Sequence, residues 1–472
     1  MKRILRPTEI TRRHFLGSTV LTATAFNIVP RHVLGGPKYV PPSEMINIAI
    51  VGAGGQGRTN TRALLQQDDA RIIAVCDPNE STDYSRFYYK GAAGRLPVMS
   101  EVNKHYAGKN INYKGCAGYE DFRVLLDQEN DIDAVLCATP DHAHAVVSMA
   151  AIQRGKHIYC EKPLTHNIWE AREIARAAKR AGVATQMGNQ GHSGEGIRLT
   201  CEYLWDGAIG TVREVHGWSD TGRWAEGKGR PQGEPPLPAG CNWDLWLGPR
   251  AFRPYHPAYA PYNWRGWWAF GTGAIGDMAC HNLDPAVWAL DLKDPISVEA
   301  SSTGVDTDRV SAGGIFRYKF GPRGDMPPLN LTWYDGGLRP ERPEELEAGR
   351  RVGGGGNGII FVGDKGILMC GGWGGSPVII PESRRKAYVP PEKVLPRSKG
   401  HHRDWLDACK GGPAASGNFE YAARLTEVVL LGNVALRTGK KIEWDARNMR
   451  AKNVPEADAI IKEDYREGWS WS

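Results

Sequence analysis

The chain has no run of 18 uninterrupted apolar residues, which excludes a conventional membrane-spanning helix. It also has no C-x-x-C pair, and its nine cysteines are scattered over 472 residues. That density excludes a secreted scaffold built on disulfides, which is short and cysteine-rich. An odd count leaves one thiol unpaired in a monomer, and Cys76, Cys137 and Cys160 fall within apolar runs. Buried free thiols are therefore expected, as in a protein folded in a reducing compartment. Internal repeats are absent. The body also lacks a strong charge of one sign. Lys2, Arg3, Arg6, Arg12, Arg13 and Arg31 against Glu9 supply five of the six net positive charges. The remainder is close to neutral and carries no electrostatic footprint for nucleic acid or an anionic membrane.

What the first residues do carry is an export pattern. Thr11-Arg12-Arg13-His14-Phe15-Leu16 precedes a mildly apolar stretch, Gly17 to Val29, which contains the small-x-small site Ala23-Thr24-Ala25. A basic region, a short apolar region and a small-residue exit read as a cleavable signal. Paired arginines ahead of Phe-Leu point to the bacterial twin-arginine route, hence to export in the folded state and a periplasmic destination. Residues 1–35 are expected to be this signal and 36–44 a linker marked by Pro37, Pro41 and Pro42.

The length exceeds one ordinary core, so two domains are expected. From Met45 the pattern alternates strand and helix. Ile46–Val51, Arg71–Cys76, Ile132–Ala138 and His157–Cys160 are apolar runs, with helices over Arg58–Gln67 and His144–Arg154. Asn167 with Glu170 forms a capping-box signature for a helix running to Gly182. This alternation predicts a doubly wound parallel sheet. Beyond about residue 210 the strands Thr211–Asp220, Ile296–Gly304, Gly314–Phe320 and Asn330–Tyr334 lack regular helices between them, which predicts a large open, mainly antiparallel sheet. Gly363-Asp364-Lys365-Gly366 is a turn between two further strands, and His402–Lys410 and Tyr421–Arg437 are closing helices. The resulting plan is an α/β nucleotide-binding domain at 45–165, an α+β domain at 166–400, and C-terminal helices at 401–472 that pack back on the body.

Gly52-Ala53-Gly54-Gly55-Gln56-Gly57 matches G-x-G-x-x-G directly after a strand. Such a turn lets the backbone approach a pyrophosphate at a helix N-terminus. Asp77 ends the second strand twenty residues later, where a carboxylate binds a ribose 2′-hydroxyl. No arginine follows Asp77 immediately, which favours NAD over NADP. Lys162, in Cys160-Glu161-Lys162-Pro163, ends another strand, and Pro163 restricts it to extended geometry. Asp277 and His281 stand at i and i+4, on one side of a helix if the stretch is helical. An acid beside a histidine is suited to proton transfer near neutrality.

Taken in order, the glycine turn, Thr139-Pro140-Asp141-His142-Ala143-His144, Glu161-Lys162-Pro163 and Asp277-x-x-x-His281 resemble the Gfo/Idh/MocA oxidoreductases over residues 45–450. The resemblance implies that Lys162 binds the reacting hydroxyl beside the nicotinamide and that His281, assisted by Asp277, is the general acid/base. It also implies that Thr139, Pro140 and His142 line the nicotinamide pocket, with Glu161 beside the cofactor. The stretches Gln186–His192, Asn242–Pro249 and Asn263–Trp268 are similar to an exported bacterial branch of that family. The chain departs from that branch at Ala269, where it commonly has an acid.

Seven tryptophans lie between 218 and 268. Aromatic faces suit the C–H faces of sugars, although four or five of the seven are expected only to pack a long loop. Asn189, His192, Arg223, Trp264 and Arg265, with His281, are the expected substrate contacts, and no metal is expected. Export constrains the cofactor, because no free NAD pool is expected outside the inner membrane. NAD is therefore expected to be loaded before export and retained, in a homodimer or homotetramer acting on a carbohydrate. Net hydride transfer to or from a sugar, polyol or glycoside hydroxyl is the leading reading. A redox-neutral cleavage through a keto-sugar is the alternative and needs an extra base, for which His192, Glu195 and His256 are candidates. A non-catalytic sugar-binding protein is the third reading.

Overall fold

The computed structural model describes residues 41, 44–109, 113–222, 224, 228–304 and 306–471. Residues 1–35, expected from the sequence to be an export signal, and Arg223 lie outside the described residues. Apolar runs form the strands β1 (Ile46–Val51) and β2 (Ala70–Cys76), then a small hairpin of β3 (Thr82–Asp83) and β4 (Ala92–Ala93). They continue as β5 (Ala117–Tyr119), β6 (Ala134–Cys137), β7 (His157–Cys160) and β8 (Thr185–Met187). All but the hairpin join one parallel sheet in the order β5-β2-β1-β6-β7-β8. Ile48, Ile50, Val135 and Leu136 are fully buried on its two faces, because helices cover both sides of a parallel sheet. The sheet runs past residue 165, where the sequence pattern puts the domain boundary. The three-residue β8 is too short to announce itself, yet it pairs with β7.

The helix Ile168–Ala181 begins on the expected capping box. Glu170 N–H donates to Asn167 Oδ1 at 3.0 Å, and Asn167 N–H donates back to Glu170 Oε2 at 3.2 Å. Its C-cap, Gly182, has φ 66°, a left-handed position suited to glycine. The helix Asp141–Gln153 starts three residues earlier than the sequence pattern indicates, with Pro140 as its extended N-cap.

The second sheet holds β9 (Val212–Ser219), β10 (Ser297–Ser302), β11 (Gly314–Phe320), β12 (Leu329–Tyr334), β13 (Asn357–Gly363) and β14 (Gly366–Gly371). It is completed by β15 (Val378–Ile380), β16 (Ile442–Asp445) and β17 (Arg450–Ala451). Its order is β15-β14-β13-β9-β12-β11-β10-β16-β17, antiparallel except where β9 pairs with β12. Burial alternates along β11, with Phe316, Tyr318 and Phe320 inward and Arg317 and Lys319 outward. At β11 one face therefore packs on the core while the other is open. By contrast β13 and β14 are buried on both faces, with Ile360, Ile367 and Met369 in a second cluster with Trp218 and Leu346.

The 20-residue helix Phe419–Thr438 is apolar on nearly all sides because it packs against β10 and against the helix Ile168–Ala181 of the first domain. The helix His401–Cys409 returns Trp405 and Leu406 to the core under β1 and β2. The C-terminal residues thus join the two sheets. The nine cysteines are free, seven of them buried. The helix Arg95–Ala107 is not legible in the sequence pattern, since only Val98, Val102 and Tyr106 carry its apolar buried side.

Asn167→Ala is expected to lower stability by about 1 kcal/mol, read as a fall in the thermal or urea midpoint, because the backbone N–H of Glu170 loses its side-chain acceptor.

Candidate active site

The turn after β1 has the stereochemistry of a dinucleotide-binding loop. Gly52 has φ +87°, and a Cβ there would lie 2.6 Å from the backbone of Ala138 and Thr139. A Cβ on Gly57 would lie 1.9 Å from Gly52 O, so the helix Gly55–Leu64 packs this tightly only through glycine. Asp77, at the end of β2, accepts from Ala53 N–H at 2.7 Å and Asn79 N–H at 2.8 Å. Its burial pushes the carboxyl pKa up, against those hydrogen bonds. The carboxylate thus sits at the turn, as the 2′-hydroxyl contact of an NAD ribose requires, and the turn fits that cofactor.

Lys162 emerges at the end of β7, before a cis Lys162–Pro163 bond. Its Nζ donates to Asp277 Oδ1 at 2.5 Å. Arg265 Nε approaches the same oxygen at 3.3 Å, and its guanidinium lies over the rings of Trp264 and Tyr262 at 4.2 and 4.7 Å. Burial opposes ionisation of Asp277, but Lys162 and Arg265 together hold the carboxyl below its ordinary range. Burial likewise opposes the Lys162 ammonium, and Asp277 more than offsets it, so the lysine stays charged. Asp277 lies in a π-helical turn, Ile275–Ala279, that runs into the short helix Cys280–Asn282 carrying His281. Such wide turns recur at functional sites. Burial, reinforced by the Lys162 charge, pushes the His281 pKa down to about 3. Neither His281 ring nitrogen bonds to the described residues, and Nδ1 is buried without a partner. The cluster therefore combines a fixed ammonium donor, a carboxylate that orients it, and a neutral imidazole free to take a proton.

Two family profiles match, one described as the oxidoreductase family's NAD-binding Rossmann fold over residues 46–189, the other as its C-terminal alpha/beta domain over 207–322. The chain belongs to the Gfo/Idh/MocA oxidoreductase family. Among its relatives, a levoglucosan dehydrogenase of Pseudarthrobacter phenanthrenivorans is 25% identical over 51% of this chain and 50% of its own length. A 1,5-anhydro-D-fructose reductase of Ensifer adhaerens is 27% identical over 48% and 57%. A 2,7-anhydro-N-acetylneuraminate hydratase of Mediterraneibacter gnavus is 27% identical over 37% and 41%. The chain thus spans about half the length of the curated relatives it matches. The fold is similar to that of the WlbA dehydrogenase of Bordetella pertussis, solved with NADH and UDP-GlcNAcA. Its TM-score is 0.57 at 17% identity, covering 85% of this chain and 99% of that one.

Within this Gfo/Idh/MocA fold several expected site residues hold the frame and do not face the cleft. His142 is fully buried between Trp246 and Phe270, with Nε2 3.0 Å from Trp246 O and Nδ1 3.3 Å from Phe270 O. It fastens the helix Asp141–Gln153 to the aromatic layer and does not line the nicotinamide pocket. Glu161 is buried too, accepting from Asn60 at 2.8 Å, Gln190 at 3.0 Å and Gln56 at 3.3 Å. Asn189 and His192 both bond Asp284, at 2.8 and 3.0 Å, which takes them from the expected substrate contacts into a buried polar knot with Tyr421. Glu195 is held by Lys393 and Arg397 and His256 accepts from Ala258 N–H, whereas His192, oriented through Nδ1 by Asp284, keeps a buried Nε2 without a partner among the described residues. Trp264 is 8% exposed and braces Arg265. Of the seven tryptophans, six are buried and Trp224 is half-buried, more than the four or five expected. Trp243, Trp246, Trp264 and Trp267 pack together with Tyr259 and Phe270, and two of their indole N–H groups find backbone oxygens, Trp243 on Arg253 at 2.7 Å and Trp267 on Ala258 at 2.8 Å.

Other residues enter the site without a motif to announce them. The β3–β4 hairpin carries Tyr84 and Tyr89 over the glycine turn, since a Cβ on Gly54 would meet Tyr84 Oη at 2.8 Å and one on Gly55 the Tyr89 ring at 2.1 Å. Phe87 of the same hairpin stacks on Tyr262 at 4.7 Å. Arg95 reaches Asp77 O at 2.8 Å and pairs with Glu120 at 3.2 Å, an arginine beside Asp77 drawn from a later helix. His144 meets Thr139 O and Pro163 O at 2.9 and 2.7 Å and braces the loops after β6 and β7. Cys137 and Cys160 converge on it, but with both ring nitrogens turned to carbonyls it offers them no lone pair.

Burial sets the pKa of His142 and His281 to about 3 and of His402 to about 4. All three are neutral when folded, whereas the unfolded chain protonates them near 6.5. Their contribution is fully present above about pH 6.5 and is lost as pH falls toward 4. Each costs roughly 1 kcal/mol by pH 5.5, so the thermal midpoint is expected to drop steeply between pH 7 and 4.5. A flat profile in calorimetry across that window would contradict this.

Proposed function

We propose that the protein is an NAD-dependent oxidoreductase that transfers hydride between a carbohydrate hydroxyl and a nicotinamide cofactor retained as a prosthetic group. The observation that carries the reading is the convergence of Lys162, Asp277 and neutral His281 at the carboxyl end of the parallel sheet, beside the glycine turn. In the oxidative direction the Lys162 ammonium donates a hydrogen bond to the reacting oxygen and stabilises its developing negative charge. His281 takes the hydroxyl proton. Asp277 keeps Lys162 charged and aimed, and Arg265 shares that carboxylate and keeps it ionised. When bound, the dinucleotide supplies the acceptor for the hydride leaving the carbinol carbon. The retained cofactor is reset when a second, carbonyl-bearing substrate in the same pocket takes the hydride back by the same steps in reverse, with His281 returning its proton.

Sugar-derived substrates are supported by the dehydrogenase and reductase relatives. NAD is favoured over NADP because Arg95, the arginine nearest Asp77, is already engaged by Glu120 and by the Asp77 backbone. Retention is supported by the tyrosines over Gly54 and Gly55 and by the twin-arginine pattern, which would carry the folded, loaded protein to the periplasm. The open side of β11 and β12 suits a homodimer or homotetramer. Net oxidoreduction is preferred over redox-neutral cleavage, the reading that the hydratase relative favours. Of the three candidate extra bases, Glu195 is paired with Lys393 and Arg397, His256 Nδ1 is taken by Ala258 N–H, and His192, whose Nε2 is unpartnered among the described residues, is only 1% exposed within the Asp284 knot.

Native mass spectrometry of protein purified without added cofactor is expected to show one NAD per subunit in a dimeric or tetrameric mass; an empty monomer would overturn both retention and assembly. His281→Ala is expected to lower turnover by roughly 10² or more with bound NAD unchanged. The measurement is the absorbance of reduced cofactor when a carbohydrate panel is mixed with the holoprotein. Release of aglycone from chromogenic glycosides without net NADH would replace oxidoreduction by the cleavage cycle.

A further inference from the structure

The tryptophans between 218 and 268 are almost all spent on packing, whereas an indole from a distant loop stands open beside His281. Trp373 is 49% exposed, and its ring meets His281 edge to face at 5.8 Å between centroids. It lies in Gly371-Gly372-Trp373-Gly374-Gly375, between β14 and β15. Its backbone is left-handed, φ 58° and ψ 26°, a conformation that glycine takes freely and tryptophan rarely adopts. Four glycines surround this position, yet the strained conformation falls on the one bulky residue.

The surroundings hold it there. Trp373 N–H donates at 3.0 Å to Oδ1 of Asn282, the residue after His281. Asn282 is fully buried and is itself fixed, donating to Trp218 O at 2.8 Å and Asn357 Oδ1 at 3.1 Å. Gly371 N–H closes the loop on Gly375 O at 2.8 Å. On the other side Gly191 makes room, since a Cβ there would lie 2.5 Å from Trp373 Cβ. A strained, exposed aromatic whose backbone is tied to the neighbour of the general base gains little from packing, and strain kept in this way collects at functional sites.

We propose that Trp373 is the stacking platform of the substrate site, on which the apolar C–H face of a sugar ring rests so that one hydroxyl meets His281. The inference builds on the carbohydrate reading above and names the residue that selects for a ring. An aromatic face recognises the flat apolar side of a pyranose and offers nothing comparable to an open-chain polyol.

The test uses the full-length holoprotein with Trp373→Gly, which suits the left-handed backbone and should not lower the thermal midpoint, and Trp373→Phe, which restores an aromatic face. The probes are D-glucose, levoglucosan and N-acetyl-D-glucosamine as rings and D-sorbitol as an open chain, read by reduction of bound cofactor. Trp373→Gly is expected to raise KM for responding rings by roughly 3- to 10-fold, with a smaller change in kcat and unchanged bound NAD. Trp373→Phe is expected to recover most of that loss. An unchanged KM in the glycine variant overturns the platform alone, as does a change in oligomeric mass without a change in KM. A wild-type protein that responds to none of the carbohydrates overturns the carbohydrate reading, and the platform with it.

Discussion

The ammonium of Lys162 and the carboxylate of Asp277 come from two ends of the chain's architecture, one closing a strand of the parallel sheet and the other lying in a π-helical turn packed on the second domain. A buried charge is costly alone, and removing one partner of such a pair leaves the other stranded. The two domains must therefore meet in the register that brings these groups together. That register depends on the long helix Phe419–Thr438, which packs against both domains, and on His142, whose ring nitrogens meet backbone oxygens beyond residue 245. The lysine also bears on the chemistry around it, because its charge reinforces the burial that keeps His281 neutral.

A pattern of buried polar groups with backbone partners supports this frame. His144 bridges Thr139 O and Pro163 O, and Glu161 gathers the amides of Gln56, Asn60 and Gln190 beneath the glycine turn. Asp284 collects Asn189, His192 and Tyr421. Each group is buried, and each meets a partner, as the cost of burying an unpaired polar atom demands. Residues that look chemical in the sequence are therefore divided between two tasks. Some face the cleft, and others keep the loops that carry them in place.

That division explains which parts of the site are legible in the chain and which are not. The glycine turn and Asp77 can be found because their spacing relative to strand ends carries meaning by itself, whereas Lys162, Asp277 and His281 gain theirs from the order of motifs that resembles the family. The capping box at Asn167 and Glu170 is equally local. Tyr84, Tyr89, Arg95 and Trp373 cannot be found this way. They reach the site from a hairpin, a later helix and a glycine loop whose positions depend on contacts across many residues. His142 and His192 show the converse: a histidine beside a motif invites a chemical role, but both ring nitrogens of His142, and Nδ1 of His192, are already engaged by atoms more than ninety residues away in sequence.

Local physics in the sequence was sufficient for the fold class and the glycine turn. The ordered motifs supplied the family resemblance and with it the roles of Lys162, Asp277 and His281, and only the structure showed that Asp277 pairs with Lys162. Strand periodicity, glycine stereochemistry and capping are decided within a few residues, and short-range signals survive without knowledge of the rest. The tertiary structure alone decided which aromatic stands open and which polar side chains are buried. Exposure and partnership are properties of the packed whole: six tryptophans of a suggestive cluster went inward, and the open indole beside His281 came from a loop with no signal but its glycines.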